Sequence, residues 1–426
     1  MTTALPQKLA SDAIRYEDLY ARWEQGNWRA TEIDFSEDAR QWQEEFTDFE
    51  RKAALWNYAL FFWGEDAVTD GLSPYIDAAP REEQKYFLAT QQVDEARHAV
   101  FFARFMNEVC GIGGETTGER LEAIKPQLSW GFRQVFGRLE KMSDELRRDP
   151  SLPNLAAAIA LYHVVIEATL AQPGQHFITS YLDERGVLPG FREGMHNVAA
   201  DEQRHIGFGV KMLADLNRED PECKYAVADL LREVVTDAVA VLTPPDLDRR
   251  YTECFGFTVE DIYTEGTQSF ETKLRSAGLP LEELPGPPIF AADMSTRERA
   301  ENAIKLIWGG VLGEKNGPPK RDPETMEALF KMSRGGMDVG AAPEGGGSIQ
   351  WDFRDAEPWH MVIDNGNSRV QPGRLENPTV TLRCSYEDWT DVVAGRADGL
   401  RLAARGRLRP RGDLRWLWRA RRMFPR

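Results

Sequence analysis

The sequence is poor in the residues that build disulfide frameworks and structural zinc sites. Only four cysteines and six histidines occur among 426 residues. The cysteines, Cys110, Cys223, Cys254 and Cys384, lie far apart, and no two of them form a Cys-x-x-Cys pair. This pattern predicts reduced thiols in a cytoplasmic protein and argues against a thiolate zinc site.

Positive charge is also scarce. Lys and Arg number 52 against 69 Asp and Glu, which gives a formal net charge of -17. Such an acidic chain is not expected to bind nucleic acid, because the phosphate backbone repels it. The first twenty residues have neither a basic start nor an apolar core, so no secretion signal is predicted there.

Long uninterrupted apolar runs are missing too. Between Pro150 and Leu182 the one charged residue is Glu167, but prolines and glutamines interrupt this segment. No stretch reaches the roughly 18 apolar residues that indicate a membrane-spanning helix. The segment is therefore predicted to be a central helix buried on all sides. An ionised carboxylate in such a place needs a metal ion or a charged partner.

Hydrophobic periodicity divides the chain into two domains. Residues 1–275 show helical spacing, including one long helix predicted over 36–70, and indicate an all-α helix bundle. Residues 276–296 are rich in proline and glycine and are predicted to be a linker. Residues 297–426 contain the alternating segments "SIQWDFRD", "PWHMVID" and "PTVTLRCS", followed by a short helix that Ser385 is expected to cap. The second domain is predicted to be smaller and α+β.

One motif occurs twice in the helical region. The segments "DEARH" and "DEQRH" each place a glutamate and a histidine three residues apart, on one face of a helix. A further glutamate precedes each motif by about one helix. The resulting order, Glu then Glu-x-x-His, twice over, is that of carboxylate-bridged dinuclear metal sites in four-helix bundles. The predicted metal ligands are Glu65, Glu95, His98, Glu167, Glu202 and His205.

The donor set indicates which metals the site would hold. Four carboxylates and two imidazoles suit iron or manganese better than copper or structural zinc. Asp94 and Asp201 each precede a ligand glutamate, and each is predicted to accept a hydrogen bond from the histidine of the other motif. The alternative for these aspartates is a solvated position on the helix surface. The alternative for the whole site is a set of buried ion pairs with Arg97 and Arg204.

Two other Glu-x-x-His pairs are expected to have no part in the site. Glu193 and His196 each lie nine residues before a predicted ligand, which is half a revolution at about 100° per residue. They should therefore face the opposite side of that helix. The pair Glu357 and His360 encloses a proline and lies among the predicted strands.

The helical region resembles the ligand-binding oxidases related to the ribonucleotide reductase small subunit. The resemblance spans about residues 15 to 275 and is carried by "EIDFSED", "GEDAVTD", "DEARH", "LYHVVIEATLA" and "DEQRHIGFG". It implies a ferritin-like fold, a homodimer, and a manganese–iron or di-iron cofactor that activates dioxygen as co-substrate. It also implies a long-chain fatty acid or other apolar small molecule bound at the metals, and an electron donor that the sequence does not identify.

The resemblance also implies roles, or the absence of a role, for three further positions. The family can join a valine and a tyrosine by an ether crosslink, and the matching residues are Val68 and Tyr162; plain core residues are the alternative. Tyr162 and Glu167 are five residues apart, a spacing that an ideal α-helix does not align, so a π-bulge is predicted. Reductase small subunits carry a radical-forming tyrosine where this chain has Phe102, which argues against a radical-storing role.

Residues 297–426 resemble a sterol carrier protein type 2 domain, notably in "GRLRPRGD" and the sequence around it. The resemblance implies an apolar tunnel for lipid, whose lining residues the sequence does not reveal. Ten arginines lie between Leu400 and Arg426. They predict docking on the acidic helix bundle or transient contact with an anionic membrane surface, with a solvated basic helix as the alternative.

The sequence thus predicts an oxygen-activating dinuclear-metal oxidase that acts on a hydrophobic, lipid-like substrate and has an appended lipid-binding domain. One alternative is a dinuclear-iron N-oxygenase or hydroxylase of a small metabolite, with a C-terminal domain that serves only as a scaffold. Another is a non-catalytic lipid-carrier or iron-handling protein.

Overall fold

The computed structural model of the chain describes residues 10–290, 294–364 and 366–424. It divides into two compact units, Met1–Glu283 and Leu284–Arg426, and this division falls inside the predicted linker. Part of that linker, one residue of the predicted turn "DNGNS", and residues 1–9 of the N-terminal stretch in which no secretion signal is predicted lie outside the described residues.

All regular secondary structure in the described part of the first unit is helical. Its α-helices are α1 Tyr16–Gln25, α2 Ser36–Glu44, α3 Asp48–Gly71, α4 Ser73–Ala78, α5 Glu82–Glu108, α6 Thr117–Ile124, α7 Trp130–Arg148, α8 Leu152–Ile159, α9 Gln172–Arg185, α10 Pro189–Glu219, α11 Cys223–Ala238, α12 Arg250–Glu253 and α13 Val259–Ser276. Short 3₁₀ turns are Ala10–Ala13, Ala30–Glu32, Lys125–Gln127, Pro245–Leu247 and Leu281–Glu283. Helices α8 and α9 are joined by a π-helical segment, Ala160–Ala171, which confirms the predicted π-bulge.

The continuous helix Leu152–Arg185 runs through the core of this unit. It is long and apolar enough to cross a membrane by length and composition, with a mean hydropathy of 1.5, but 78% of its most apolar window is buried in the protein. It packs on α10, while α3 packs on α5, and these four long helices form the centre of the bundle. The predicted buried central helix is therefore present.

The single helix predicted over 36–70 is wrong, because the chain breaks between α2 and α3. Thr47 and Glu50 form a capping box that starts α3, with the Thr47 N–H donating to the Glu50 carboxylate at 2.8 Å. The break frees α2 to support another helix. The buried carboxylate of Asp38 accepts hydrogen bonds from the backbone N–H groups of Gly190 at 2.9 Å and Phe191 at 2.7 Å, at the start of α10.

The second unit is α+β, as predicted. Its helices are α14 Thr296–Trp308, α15 Pro323–Gly335, α16 Tyr386–Val393, α17 Gly399–Ala404 and α18 Leu414–Ala420, with 3₁₀ turns Val339–Ala341 and Arg421–Met423. Its strands are β1 Gly347–Phe353, β2 Trp359–Asp364, β3 Asn367–Pro372, β4 Val380–Cys384 and β5 Arg409–Gly412. The strand order is β3-β2-β1-β4-β5, with β1 and β4 parallel and the other neighbours antiparallel.

The three strands predicted from sequence form the centre of this sheet, and the two that were not predicted are its edges. Trp351 and Trp359 face the core and pack against Phe330 of α15, whose ring stacks on Trp359 at 4.6 Å. Strands β3 and β5 are largely exposed and therefore lack the apolar alternation that marks a half-buried strand. The predicted cap is confirmed, since the Ser385 hydroxyl accepts the N–H of Asp388 at 3.1 Å.

Candidate metal centre

The six predicted ligands meet in one buried cluster. Helix α3 contributes Glu65, α5 contributes Glu95 and His98, the π-helical segment contributes Glu167, and α10 contributes Glu202 and His205. All six side chains are buried. One ligand atom from each of Glu65, Glu95, His98 and Glu202 lies within 4.8 Å of the others, and the same is true of Glu95, Glu167 and His205. The structure thus offers two overlapping groups of donors, and their ligand role stays a prediction.

Glu95 and Glu202 lie between the two histidines. Nδ1 of His98 is 3.4 Å from Oε2 of Glu95 and 3.6 Å from Oε1 of Glu202. Nδ1 of His205 is 3.2 Å from Oε1 of Glu95 and 3.7 Å from Oε2 of Glu202. Each of these carboxylates therefore offers one oxygen to either histidine, as a carboxylate that bridges two ions would do. Glu65, at 3.3 Å from His98, and Glu167, at 3.7 Å from His205, lie at the two ends.

The electrostatics of the cluster favour a bound cation. Burial raises the pKa of Glu65, Glu167 and Glu202 above the ordinary range for a carboxylate. Oε2 of Glu167, Oε2 of Glu202 and Nδ1 of His205 are buried and, among the described residues, have no hydrogen-bond partner. Such atoms are costly unless a cation or a proton satisfies them. The residues therefore fit a pair of divalent ions, whose binding would release protons.

The two aspartates form the crossed hydrogen bonds that the motif suggests. Nε2 of His98 lies 3.1 Å from Oδ2 of Asp201, and Nε2 of His205 lies 3.1 Å from Oδ2 of Asp94. An ionised aspartate only accepts, so Nε2 of each histidine is the donor in this hydrogen bond and Nδ1 is the nitrogen that faces the cluster. Both imidazoles are thus held in the orientation that a metal ligand needs.

Arg97 and Arg204 contact the two aspartates that orient the histidines, and they are not part of the cluster of six donors. The Arg204 guanidinium lies 2.5 Å from Asp201 and 3.1 Å from Asp94, and Arg97 pairs with both aspartates. These pairs offset the burial of the two aspartates, and together with the hydrogen bond from His98 they hold the pKa of Asp201 below its usual range although burial alone would raise it. The alternative of an ion-pair network explains the arginines, but Arg97 and Arg204 pair with the two aspartates and with none of the four central glutamates.

Two tryptophans that the sequence did not reveal also donate hydrogen bonds to these aspartates. The indole N–H of Trp23 donates to Asp94 at 2.9 Å, and that of Trp28 donates to Asp201 at 2.8 Å. Trp28 also stacks on the His98 ring, with ring centroids 6.1 Å apart. Both lie in or just after α1, about seventy residues or more from their partners, so no local spacing could have revealed them.

A third missed residue, Gln91, had a local signal. Gln91 lies four residues before Glu95 on α5 and therefore shares its helix face. It is fully buried, and its side-chain N–H donates to Oε1 of Glu167 at 2.9 Å. Of the two discarded Glu-x-x-His pairs, the one on α10 does not join the six buried donors. Glu193 and His196 are exposed, with His196 3.1 Å from Asp183.

A largely apolar pocket adjoins the cluster. It is lined by Glu65, Glu95, Glu167 and Glu202, by Val68 and Tyr162, and otherwise by mainly aliphatic and aromatic side chains such as Phe61, Phe132, Phe136 and Leu170. Both residues of the predicted crosslink therefore face the same space as four predicted ligands, and the phenol of Tyr162 donates to Oε1 of Glu95 at 2.5 Å.

Fold and site together define a ferritin-like helix bundle with a buried carboxylate–histidine centre. The family described as "Ribonucleotide reductase, small chain" matches residues 12–243, which is more than half of the chain. The chain belongs to this family. Residues 340–424 match the SCP-2 sterol transfer family, which confirms the nature of the second domain.

Solved structures of R2-like ligand-binding oxidases share the fold of the first unit. One, with an aerobically reconstituted Mn/Fe cofactor, is 25% identical with a TM-score of 0.54, and the match covers 62% of this chain and 93% of that one. A mutant of this oxidase, also with an aerobically reconstituted Mn/Fe cofactor, is 25% identical with a TM-score of 0.54, covering 62% and 97%. The ferritin-like fold predicted from the motifs is confirmed.

Proposed function

We propose that this protein is an oxygen-activating oxidase with two metal ions, manganese and iron or two irons, that acts on a hydrophobic substrate. The observation that carries the proposal is the pair of overlapping donor groups beside a largely apolar cavity. Similarity to oxidases that hold a Mn/Fe cofactor supports it. Phe102, fully buried, supports an oxidase over a radical-storing reductase subunit, because a phenylalanine cannot form a stable oxygen-centred radical.

The chain's own residues would serve this chemistry in distinct ways. Glu65, Glu95, Glu167, Glu202, His98 and His205 would hold the metals, and four carboxylates balance the charge of two divalent ions. The bound pair would supply the electrons with which dioxygen is activated for the oxidation of a nearby C–H bond. The crossed aspartates orient the imidazoles, and Tyr162 holds a proton at Oε1 of Glu95. The aromatic and aliphatic walls of the cavity exclude water and receive an apolar substrate.

A long-chain fatty acid or similar molecule is the ligand class proposed for this cavity. Few of its lining residues other than the four carboxylates are polar, Asn57 among them, so a hydrocarbon chain matches the surface better than a polar metabolite does. This favours the oxidase over an N-oxygenase of a small polar substrate. A homodimer, a separate electron donor and a cytoplasmic location stay predictions.

Analysis of the purified full-length protein tests this proposal. Protein produced with iron and manganese available is expected to hold two metal ions per chain and to release a long-chain acid on denaturation, measured by elemental analysis and mass spectrometry. Accumulation of many irons per chain would indicate iron storage instead. A bound polar amine or amino acid would favour the N-oxygenase alternative.

The second unit is proposed to bind lipid. Its family match to sterol-transfer proteins and the apolar inner face of its sheet support this. Residues 284–426 expressed alone are expected to fold and to bind a long-chain fluorescent lipid, because the unit has its own aromatic core. The check is a fluorescence titration beside circular dichroism. A folded fragment that leaves the probe unbound would favour a scaffold role.

Contact with an anionic membrane surface is proposed for the C-terminal end of this unit. On α18, Leu414 and Trp418 are four residues apart and more than half exposed, and the flanking Arg415, Arg419 and Arg422 are exposed as well. Exposed apolar side chains beside arginines suit the headgroup region of an anionic bilayer. The full chain is expected to sediment with phosphatidylglycerol vesicles but not phosphatidylcholine vesicles, and Trp418→Ala should weaken this. Equal binding to both vesicle types would rule out attraction between the arginines and anionic headgroups.

A further inference from the structure

His163 is a buried histidine outside the set of proposed metal ligands. It lies four residues before Glu167 on the π-helical segment and is fully buried. Burial lowers the pKa of its ring to about 3, so the ring is neutral near neutral pH. Nε2 of the ring lies 3.1 Å from Oε1 of Gln91. An amide oxygen carries no proton, so Nε2 must be the donor in this hydrogen bond.

The other end of the Gln91 amide faces the cluster. Its N–H groups donate to Oε1 of Glu167 at 2.9 Å and to the phenol oxygen of Tyr162 at 3.1 Å. The phenol proton itself goes to Oε1 of Glu95 at 2.5 Å. If the amide turned over while Glu167 is ionised, as a metal ligand is, its oxygen would face a carboxylate and a phenol oxygen whose proton is already donated. Two acceptors would then meet with no proton between them, and the N–H of His163 would face another donor.

Close packing keeps the His163 ring in place. Gly209 of α10 lies against it, and a Cβ at position 209 would come within 2.2 Å of Cβ and 2.4 Å of Cγ of His163. Phe208 adds a ring contact with centroids 5.7 Å apart. The ring has no room to move toward α10, and its N–H therefore stays directed at Gln91.

We propose that His163 is a positioning residue that acts through Gln91. By holding the amide oxygen, it fixes the donating side of Gln91 toward Glu167 and Tyr162. The Glu167 carboxylate then accepts a hydrogen bond from Gln91 and stays turned toward the proposed metals. The phenol proton of Tyr162 stays directed at Glu95. This inference rests on the proposed function and deepens it, because it assigns every hydrogen-bond donor from His163 to Glu95.

A matched pair of variants in the full-length protein separates this role from packing. His163→Gln keeps a side-chain N–H, whereas His163→Met fills similar space without one. The probe is Mn²⁺ alone, titrated into metal-free protein against a chelating dye, with thermal unfolding as the check on folding. We expect His163→Met to weaken binding by roughly 10- to 100-fold, the range for residues that orient metal ligands. His163→Gln should recover most of this loss, and His176→Met, at an exposed histidine, should have no effect.

A double-mutant cycle tests the route through Gln91. In a Gln91→Met background, the further change His163→Met is expected to cause no additional loss of Mn²⁺ affinity. The amide through which His163 acts is already absent from that background. Additive losses, wild-type binding by His163→Met, or equal loss in His163→Gln and His163→Met would each overturn the proposal. If His163→Met does not fold, His163→Leu, which also lacks a side-chain N–H, replaces it in the cycle. Wild-type protein without affinity for Mn²⁺ would overturn the proposed function along with this inference.

Discussion

Glu167→Ala is expected to lose at least one of the two metal ions that the wild-type chain holds. The substitution removes the carboxylate nearest to one end of the cluster, where Oε1 lies 3.7 Å from Nδ1 of His205. It also leaves the Gln91 amide without its acceptor. Elemental analysis after reconstitution with iron and manganese measures the outcome.

The stability of the metal-free variant provides an internal check. Glu167 is buried within an apolar segment, and one of its oxygens has no partner among the described residues. Replacing it by alanine should therefore leave the metal-free protein at least as stable as the wild type, although the same change removes a ligand. Glu193→Ala, at an exposed position of α10, is the matched control and should retain both ions. Full metal binding by Glu167→Ala would show that the site has been assigned to the wrong residues.

Exposure of the reconstituted protein to oxygen is expected to join Val68 and Tyr162 by an ether bond. Both line the cavity beside the carboxylates, and Val68 offers a tertiary C–H while Tyr162 offers a phenol O–H. Forming the bond from Cβ to the phenol oxygen removes two hydrogen atoms, whose protons and electrons dioxygen accepts. The intact chain should lose that mass, and digestion should yield one peptide that links the two segments.

Two variants of buried tyrosines sharpen this experiment. Tyr162→Phe should abolish the link while the metals stay bound, because phenylalanine fills similar space without the oxygen. Tyr75 is also buried, and its ring lies 6.0 Å from that of Tyr162, but it is not among the residues that line the cavity. Tyr75→Phe should therefore form the link as the wild type does. Metal-loaded wild-type protein that stays unlinked in oxygen would place Val68 beyond reach of the oxidant.

The helical domain and its cluster were predictable because they depend on short-range spacing. Glutamate and histidine three residues apart share a helix face in any α-helix, and the order of the four segments then requires one shared centre. The split between α2 and α3 was not predicted, because apolar residues continue at helical spacing across it. The capping box formed by Thr47 and Glu50 starts α3 at this point, so one helix ends and a second begins without a change in apolar spacing.

Contacts between distant segments account for what the sequence could not show. Trp23 and Trp28 reach the aspartates only because α1 and the residues after it lie along α5 and α10. Strands β3 and β5 pair through their backbones at the edges of the sheet, where side-chain hydrophobicity gives little guidance. The cavity walls likewise come from separate helices, so lining residues such as Phe132 and Val241 could not be named in advance.

The crossed hydrogen bonds between the two motifs make them mutually dependent. Asp94 precedes Glu95 in sequence but orients His205, and Asp201 precedes Glu202 but orients His98. A repeated motif suggests two equivalent halves, each able to evolve or be transplanted by itself. Here neither half is complete, because the outer support of each histidine is encoded in the other helix. Grafting one Asp-Glu-x-Arg-His segment onto another bundle would therefore carry over a histidine without its orienting acceptor, and a working transfer would need both segments together.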